Sequence, residues 1–275
     1  MAGKLYLVPT PIGNLGDISR RAAEILEAVD FIAAEDTRVT VKLLNHLGLR
    51  KPMVAYHRHN CETAGPAVLR RIEAGEGCAL VTDAGTPAIS DPGEDLVALC
   101  AAAGVEVEAI PGPCALTVAL SVSGLPTGRF TFEGFLPQNK KNRRAQLDAL
   151  ADEERTMVFY EAPHKLRSTL DDLAAVFGSE RPLAVCRELT KLHEEVLRLT
   201  IGEAAERYAA QEPRGEFVLV VGGRPPREEA ADEGGALARA EQLRREGLSL
   251  KDAAARAAEE FGVKRRQLYN QMLGK

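Results

Sequence analysis

"CALVTDAGTPAISDPG", Cys78 to Gly93, sets a run of four apolar residues against a segment holding two aspartates, two prolines and two glycines. The apolar run has the length of a strand and stops where turn-forming residues begin. A strand that is apolar throughout is covered on both faces, the condition of a parallel sheet flanked by helices. The stretch therefore reads as a buried strand whose carboxyl end opens into a loop. Gly85 lets the backbone turn where a side chain would clash, and Pro87 and Pro92 stiffen the rest of the loop. Asp91 reads as the cap of the next helix; Asp83, directly past the strand, has no such duty.

Working outward, the flanking chain repeats this alternation. "KLYLV" (Lys4–Val8), "FIAA" (Phe31–Ala34), "MVAYH" and "VEVEAI" read as strands. "DISRRAAEILEAV", "VKLLNHLGL", "AVLRRIEAG" and "GEDLVALCAAAG" read as the helices between them, with Asp17 or Ser19 capping the first. Such β/α alternation implies a mostly parallel, doubly covered sheet, an α/β fold. A second series starts at "RFTFEGFL" (Arg129–Leu136), followed by a polar basic segment, "PQNKKNRRAQLDAL", that becomes a helix; it adds the strands "TMVFYE", "PLAVCREL", "EEVLRLTI" and "GEFVLVVGG" and the helix "HKLRSTLDDLAAVFG". Strands dominate here, which implies a mixed sheet. The chain thus divides into an N-terminal α/β domain over 1–118, a second α/β domain over 119–224, a linker over 225–235 and a small helical appendage over 236–275. The linker "RPPREEAADEGG" has no apolar period. The appendage has three helical pieces spaced like a helix-turn-helix, Ser249 as a cap, and seven cations between Arg244 and Arg266.

The chain has 275 residues, 45% hydrophobic and 27% charged, with net charge −5. That balance disfavours non-specific coating of nucleic acid, which rests on many phosphate contacts, and leaves room for a local basic face. Five scattered cysteines without a CxxC pair read as thiols of a reducing cytoplasm. No run approaches membrane-spanning length, and the N-terminus meets proline too early for a signal peptide.

Ligands of open α/β sheets bind outside the carboxyl ends of the strands. Three loops lie there. "PTPIGNLGD" (Pro9–Asp17) lacks GxGxxG and GK[ST], and its prolines remove the amides that a phosphate cradle needs. "TDAGTPAISDPG" brings carboxylates and close backbone approach. "PGPCALTVALSVSG" (Pro111–Gly124) starts rigid and then offers small residues against which a flat ring could lie. An uncharged-to-acidic cleft of this kind suits a ligand with a positive centre, hydroxyls and an aromatic base, and S-adenosylmethionine has all three.

Taken in order, "LVPTPIGNLGDIS", "AEDTR", "LVTDAGTPAISDPG", "IPGPCALTVALSVSGLP", "FTFEGFLP", "YEAPHKL", "RELTKLHEE" and "GEFVLVVGG" resemble the ribosomal RNA small subunit methyltransferases I of the tetrapyrrole methylase superfamily. The resemblance runs from about Lys4 to Gly223, and the tail is similar to that family's helix-turn-helix appendage. It implies two α/β domains with S-adenosylmethionine between them and a homodimer. It also implies 2′-O-methylation of a cytidine ribose in the decoding region of 16S rRNA, within the assembled small ribosomal subunit. Carried over by motif, the cofactor contacts would be Pro9, Asp83, Gly85, Thr86, Ile89, Ser90, Cys114, Ala115, Leu116, Tyr160, Glu161 and Ala162.

Methyl transfer from a sulfonium is an in-line displacement that needs alignment, exclusion of water and removal of the hydroxyl proton. Asp36 in "AEDTR" follows a strand and can face the cleft, with a salt bridge to Arg38 as its plainer role. Lys191 in "RELTKLHEE" could lower the hydroxyl pKa or hold phosphate. Asp36 and Lys191 are therefore the candidate catalytic residues, ahead of His164 and His193. His57 and His59 alternate without a third ligand, so no metal is expected. A basic rim for RNA is read in the predicted loop "NKKNRR" (Lys140, Lys141, Arg143, Arg144), with Arg38 and Arg187. Tryptophan is absent, so recognition of RNA shape is expected rather than base stacking. The alternatives are a methyltransferase of the same fold acting on a tetrapyrrole or a protein, and a non-catalytic nucleic-acid binder using the tail alone.

Overall fold

The structure is a computed structural model that describes residues 3–225 and 233–274. The chain forms two compact units, Met1–Arg224 and Pro225–Lys275. The first unit opens with β1 (Lys4–Leu7), α1 (Arg20–Ala28), β2 (Phe31–Ala34), α2 (Thr37–His46) and β3 (Met53–Ala55). It continues with α3 (Cys61–Glu73), β4 (Cys78–Val81), α4 (Glu94–Ala102) and β5 (Glu106–Ala109). The five strands form one sheet in the order β3-β2-β4-β1-β5, and every pairing is parallel.

All residues of β2 and β4 are buried, and their side chains alternate between two apolar layers. Ile32, Ala34, Ala79 and Val81 pack with Leu26 of α1 and Leu43 and Leu44 of α2. Phe31, Ala33, Cys78 and Leu80 pack with Val68 and Ile72 of α3 and Leu96 and Cys100 of α4. This two-sided covering is why the strands read as continuous apolar runs. Of the two caps the sequence offers for α1, Ser19 takes the place, accepting a hydrogen bond from the Ala22 amide. Asp91 does not cap α4: the capping position is Gly93, and no side chain bonds there.

The chain then forms α5 (Ala115–Val122), β6 (Phe130–Phe135), α6 (Lys140–Ala149), β7 (Thr156–Glu161) and α7 (Leu166–Phe177). β8 (Pro182–Arg187), β9 (Glu195–Thr200), α8 (Ile201–Ala210) and β10 (Phe217–Val221) complete the unit. Its second sheet has the order β6-β7-β10-β8-β9 and is mixed, with β6 parallel to β7 and β10 antiparallel to both β7 and β8. One face carries Met157, Phe159, Val185 and Leu219 against α6, α7 and α8. The other carries Val158, Ala184, Cys186, Val218 and Val220 against Ala119 and Leu120 of α5 and Ile12.

Three local features differ from the sequence reading. The stretch after "PGPC" is the helix α5, not a loop of small residues. α8 is an addition to the expected elements, although Thr200 and Glu203 close a reciprocal capping box at its start. "NKKNRR" is not a loop: Asn139 accepts the amides of Lys141 and Asn142 and starts α6.

The second unit consists of α9 (Glu233–Arg245), α10 (Leu250–Glu260) and α11 (Arg265–Met272). They close on a core of Ala236, Ala240, Leu243, Ala253, Ala257 and Leu268. Ser249 caps α10 through the Asp252 amide. Of the stretch read as a linker, residues 226–232 lie outside the described residues, and 233–235 belong to α9. No described helix is long and apolar enough to cross a membrane.

Candidate active site

In the parallel sheet β4 and β1 are neighbours, but the chain leaves them in opposite directions. From β1 it crosses to β2 by α1 on one face; from β4 it crosses to β5 by α4 on the other. The carboxyl ends of β1 and β4 thus flank a topological switch point, where a crevice forms. The two loops are joined there. Thr10 and Gly85 exchange backbone hydrogen bonds, and the Thr10 hydroxyl donates to the Thr82 carbonyl at 3.0 Å. The Thr86 hydroxyl donates to the Pro113 carbonyl at 2.9 Å, which fastens the third loop to the second. The Leu116 amide donates to the Tyr160 hydroxyl at 2.9 Å and ties α5 to the end of β7.

Between these loops and the end of the mixed sheet lies a cavity of about 340 Å³. Of the cofactor contacts read from sequence, Asp83, Gly85, Thr86, Ile89, Cys114, Ala115, Tyr160, Glu161 and Ala162 line it. Pro9, Ser90 and Leu116 do not. Pro9 is buried beneath Gly112, Ser90 offers its carbonyl to Arg58 at 2.8 Å, and Leu116 acts through its amide on Tyr160. The lining also includes residues the sequence does not single out, among them Ile12, Glu35, Asp91, Phe135, Leu189, Glu216 and Val218. Gly85 has φ +91, and a Cβ there would reach Ile12 Cγ2 at 3.4 Å. Its bare backbone is therefore part of the cavity's shape.

The non-glycine residues with positive φ among the described residues are Ala88, Ser90, Glu188 and Thr190. They fall in two loops beside the cavity, one after β4 and one after β8. Each such residue costs on the order of 1 kcal/mol or more, a strain that folds tend to keep at ligand sites.

The polar wall is acidic. Glu35 accepts the Asp83 amide at 3.3 Å, and Asp83 accepts the Asp36 amide at 3.1 Å. Burial raises the pKa of Glu35 and of Asp83 above the usual carboxylate range. Asp91 is pushed up to about 7, first by burial and then by the Glu35 charge. Glu161, 3% exposed, accepts the Thr169 hydroxyl at 2.5 Å and the Ala162 amide at 2.8 Å.

The two residues favoured as catalytic stand elsewhere. Asp36 caps α2, is gripped by the Arg38 guanidinium, and is held by those bonds at about 2. Its neighbour Glu35 is the one that lines the cavity. A carboxylate so acidic and so engaged is a poor proton acceptor. Lys191 spans Glu188 and Glu216 at 2.8 and 2.9 Å, and its stem lies over Gly13 in the first loop. Burial alone would lower its pKa, but these two carboxylates outweigh it and hold the ammonium protonated. Lys191 therefore braces the loops as a charged ammonium held by two carboxylates.

The candidate RNA-binding cations are also sorted. Lys140 and Lys141 are exposed on the first turn of α6. Arg143 is mostly buried in an ion pair with Asp172 at 2.6 Å, and Arg144 pairs with Asp148. Arg38 is 88% exposed but engaged with Asp36. Arg187 donates to the carbonyls of Arg214 and His193 and faces Glu195 at 3.6 Å. In the second unit, Arg244, Arg245, Lys251, Arg256, Lys264, Arg265 and Arg266 are all exposed.

Residues 4–205 match the family described as Tetrapyrrole (Corrin/Porphyrin) Methylases, and residues 229–275 match the RsmI C-terminal HTH domain. Proteins named ribosomal RNA small subunit methyltransferase I are similar over nearly their whole length. The one from Synechocystis sp. is 49% identical, covering 97% of this chain and 96% of its own. That from Escherichia coli O157:H7 is 48% identical, covering 98% and 95%. Among solved structures, uroporphyrin-III C-methyltransferase from Thermus thermophilus, complexed with S-adenyl homocysteine, has TM-score 0.57 and 20% identity over 80% of this chain and 97% of that one. Diphthine synthase has TM-score 0.60 and 14% identity over 80% and 90%. At these identities the solved structures establish the fold alone.

Proposed function

Because this chain belongs to the tetrapyrrole methylase family and matches its ribosomal RNA small subunit methyltransferase I members from end to end, we propose that it methylates ribosomal RNA with S-adenosylmethionine as donor. In its finer form, the acceptor is the 2′-oxygen of a cytidine ribose in the decoding region of 16S rRNA, met in the assembled small subunit. The enzyme acts in the cytoplasm as a homodimer. The observation that carries the reading is the near-complete coverage at almost half identity, which includes the C-terminal helical unit.

The cavity's chemistry fits the donor. Asp83, Glu35 and Asp91 offer negative charge and hydrogen-bond acceptors to a cationic ligand with hydroxyls. Ile12, Leu189 and Val218 offer an apolar wall to an aromatic base, and Gly85 leaves room for close approach. When bound, S-adenosylmethionine supplies a methyl group made electrophilic by its sulfonium. The chain's own part is to hold, align and dry the site. The Thr10–Gly85 clasp and the Thr86–Pro113 bond fix the loops, and Tyr160 anchors α5 beside them. Fixing both reactants in line is worth several kcal/mol, about 7–11 in the most favourable cases. The exposed Lys140 and Lys141 and the cations of α9, α10 and α11 supply phosphate contacts that steer RNA without reading its sequence.

Incubation with methyl-labelled donor and unmodified small subunits tests this. Nuclease digestion and mass spectrometry should find the label on a cytidine ribose. Label on a base, or transfer to a uroporphyrinogen in preference to small subunits, would overturn the reading.

A further inference from the structure

Resting on that methyl-transfer reading, we propose that Asp91 is the proton acceptor of the reaction. Its carboxylate takes the ribose 2′-hydroxyl proton as the O–CH3 bond forms and the S–CH3 bond breaks. The electron pair of the broken bond stays on sulfur. The sulfonium's positive charge is thereby replaced by a proton on Asp91, and the cavity's net charge is the same before and after transfer.

The geometry separates Asp91 from the carboxylates around it. Glu35 and Asp83 each accept a backbone amide that holds them in the wall. Glu161 is fixed by Thr169 and by the Ala162 amide, and Glu216 is paired with Lys191. Asp91 lines the same cavity and makes no side-chain hydrogen bond or ion pair among the described residues. Its backbone is nonetheless held. Ser90, with φ +65, precedes it and offers its carbonyl to Arg58, Pro92 comes after it, and the Pro92 carbonyl accepts the Ala88 amide. An unpaired carboxylate on an over-determined backbone has its acceptor lone pairs free and its point of attachment fixed beside the cavity.

Its electrostatic surroundings suit the task. Glu35 repels its charge, Arg58 favours it, Asp83 repels it less, and the Tyr160 phenol lies close enough to feel it. The result, near 7, is where a general base keeps both an ionised population and a driving force for proton transfer. A cation in the cavity would draw the proton off, loading Asp91 as a carboxylate when the donor is present.

Calorimetry in buffers of different ionisation enthalpy tests this without turnover. At pH 7, S-adenosylmethionine should release about half a proton from a group that titrates near 7. S-adenosylhomocysteine, which lacks the sulfonium charge, should release less, and Asp91→Asn should bind the donor and release none from this group. In turnover, Asp91→Asn should lower kcat by roughly 10²–10⁴-fold, with Asp91→Glu recovering part of it. The wild type's acidic limb should vanish in the Asn variant. Equal proton release by Asp91→Asn, or a kcat within about threefold of wild type, would overturn the assignment. A wild type inactive on small subunits overturns this assignment and the functional reading together; a fast Asp91→Asn beside an active wild type overturns this assignment alone.

Discussion

Thr10 and Gly85 hydrogen-bond each other in both directions, amide to carbonyl, at 2.9 and 3.0 Å, just beyond the ends of adjacent parallel strands. The bridge is antiparallel although the strands beneath it are parallel, so it clasps two diverging loops across the switch point. Gly85 accepts this place because its φ of +91 is open to glycine. Gly85→Val would strain that backbone by about 1–2 kcal/mol and press a branched side chain toward Ile12 and the Pro113 carbonyl. Donor affinity should fall at least about tenfold, with the far-ultraviolet dichroism unchanged, as read by titration calorimetry.

Thr169 is 1% exposed, and its hydroxyl serves the buried Glu161 carboxylate. Thr169→Val keeps the shape and removes the donor, leaving a charge short of one partner. Stability should drop by about 1.5–3 kcal/mol, and donor binding should weaken because Glu161 lines the cavity. Thr169→Ser should keep both near wild type. Urea unfolding and calorimetry on the three proteins check it.

The cations of α6 should separate into two behaviours. Lys140→Glu with Lys141→Glu should raise the KM for small subunits and flatten its salt dependence, with stability and donor affinity unchanged. Arg143→Ala should instead cost roughly 2–4 kcal/mol of stability, since it strands Asp172 in a mostly buried pair. KM measurements beside thermal melts distinguish them.

Asp91 makes stability depend on pH. Its folded value near 7 lies above that of an unfolded aspartate, so the native chain binds the extra proton between those limits. The stabilisation from this group is full below about pH 4 and is lost as pH rises through about 7. Asp91→Asn should therefore match wild type at low pH and exceed it by on the order of 1–3 kcal/mol at pH 8. Melts across pH 4–8 check the sign.

Much of this architecture is legible in the sequence because its strands are short apolar runs ended by turn residues. "FIAA" and "CALV" match β2 and β4 residue for residue. α5 escapes a sequence reading because "ALTVALSV" has only Thr117 and Ser121 to mark its exposed face, too few to show a helical period. In "AEDTR" the residue types point to Asp36, yet strand alternation holds the better clue. Glu35 continues the parity of Phe31 and Ala33, which face α3 and α4, the side on which the loop after β4 leaves. The capping place that the sequence suggests for Asp91 goes to Gly93, which leaves the aspartate side chain to the cavity. Ile12, Phe135, Leu189 and Val218 come from loops and strands distant in sequence. Only the packing of the mixed sheet against the first loop brings them together.

If the cavity beside the Thr10–Gly85 clasp holds the methyl donor, titration of the folded wild type with S-adenosylmethionine should reveal one saturable site per chain. The same titration of Gly85→Val should show that site weakened. Absence of binding to well-folded wild type, or equal affinity in both proteins, would contradict this placement of the donor.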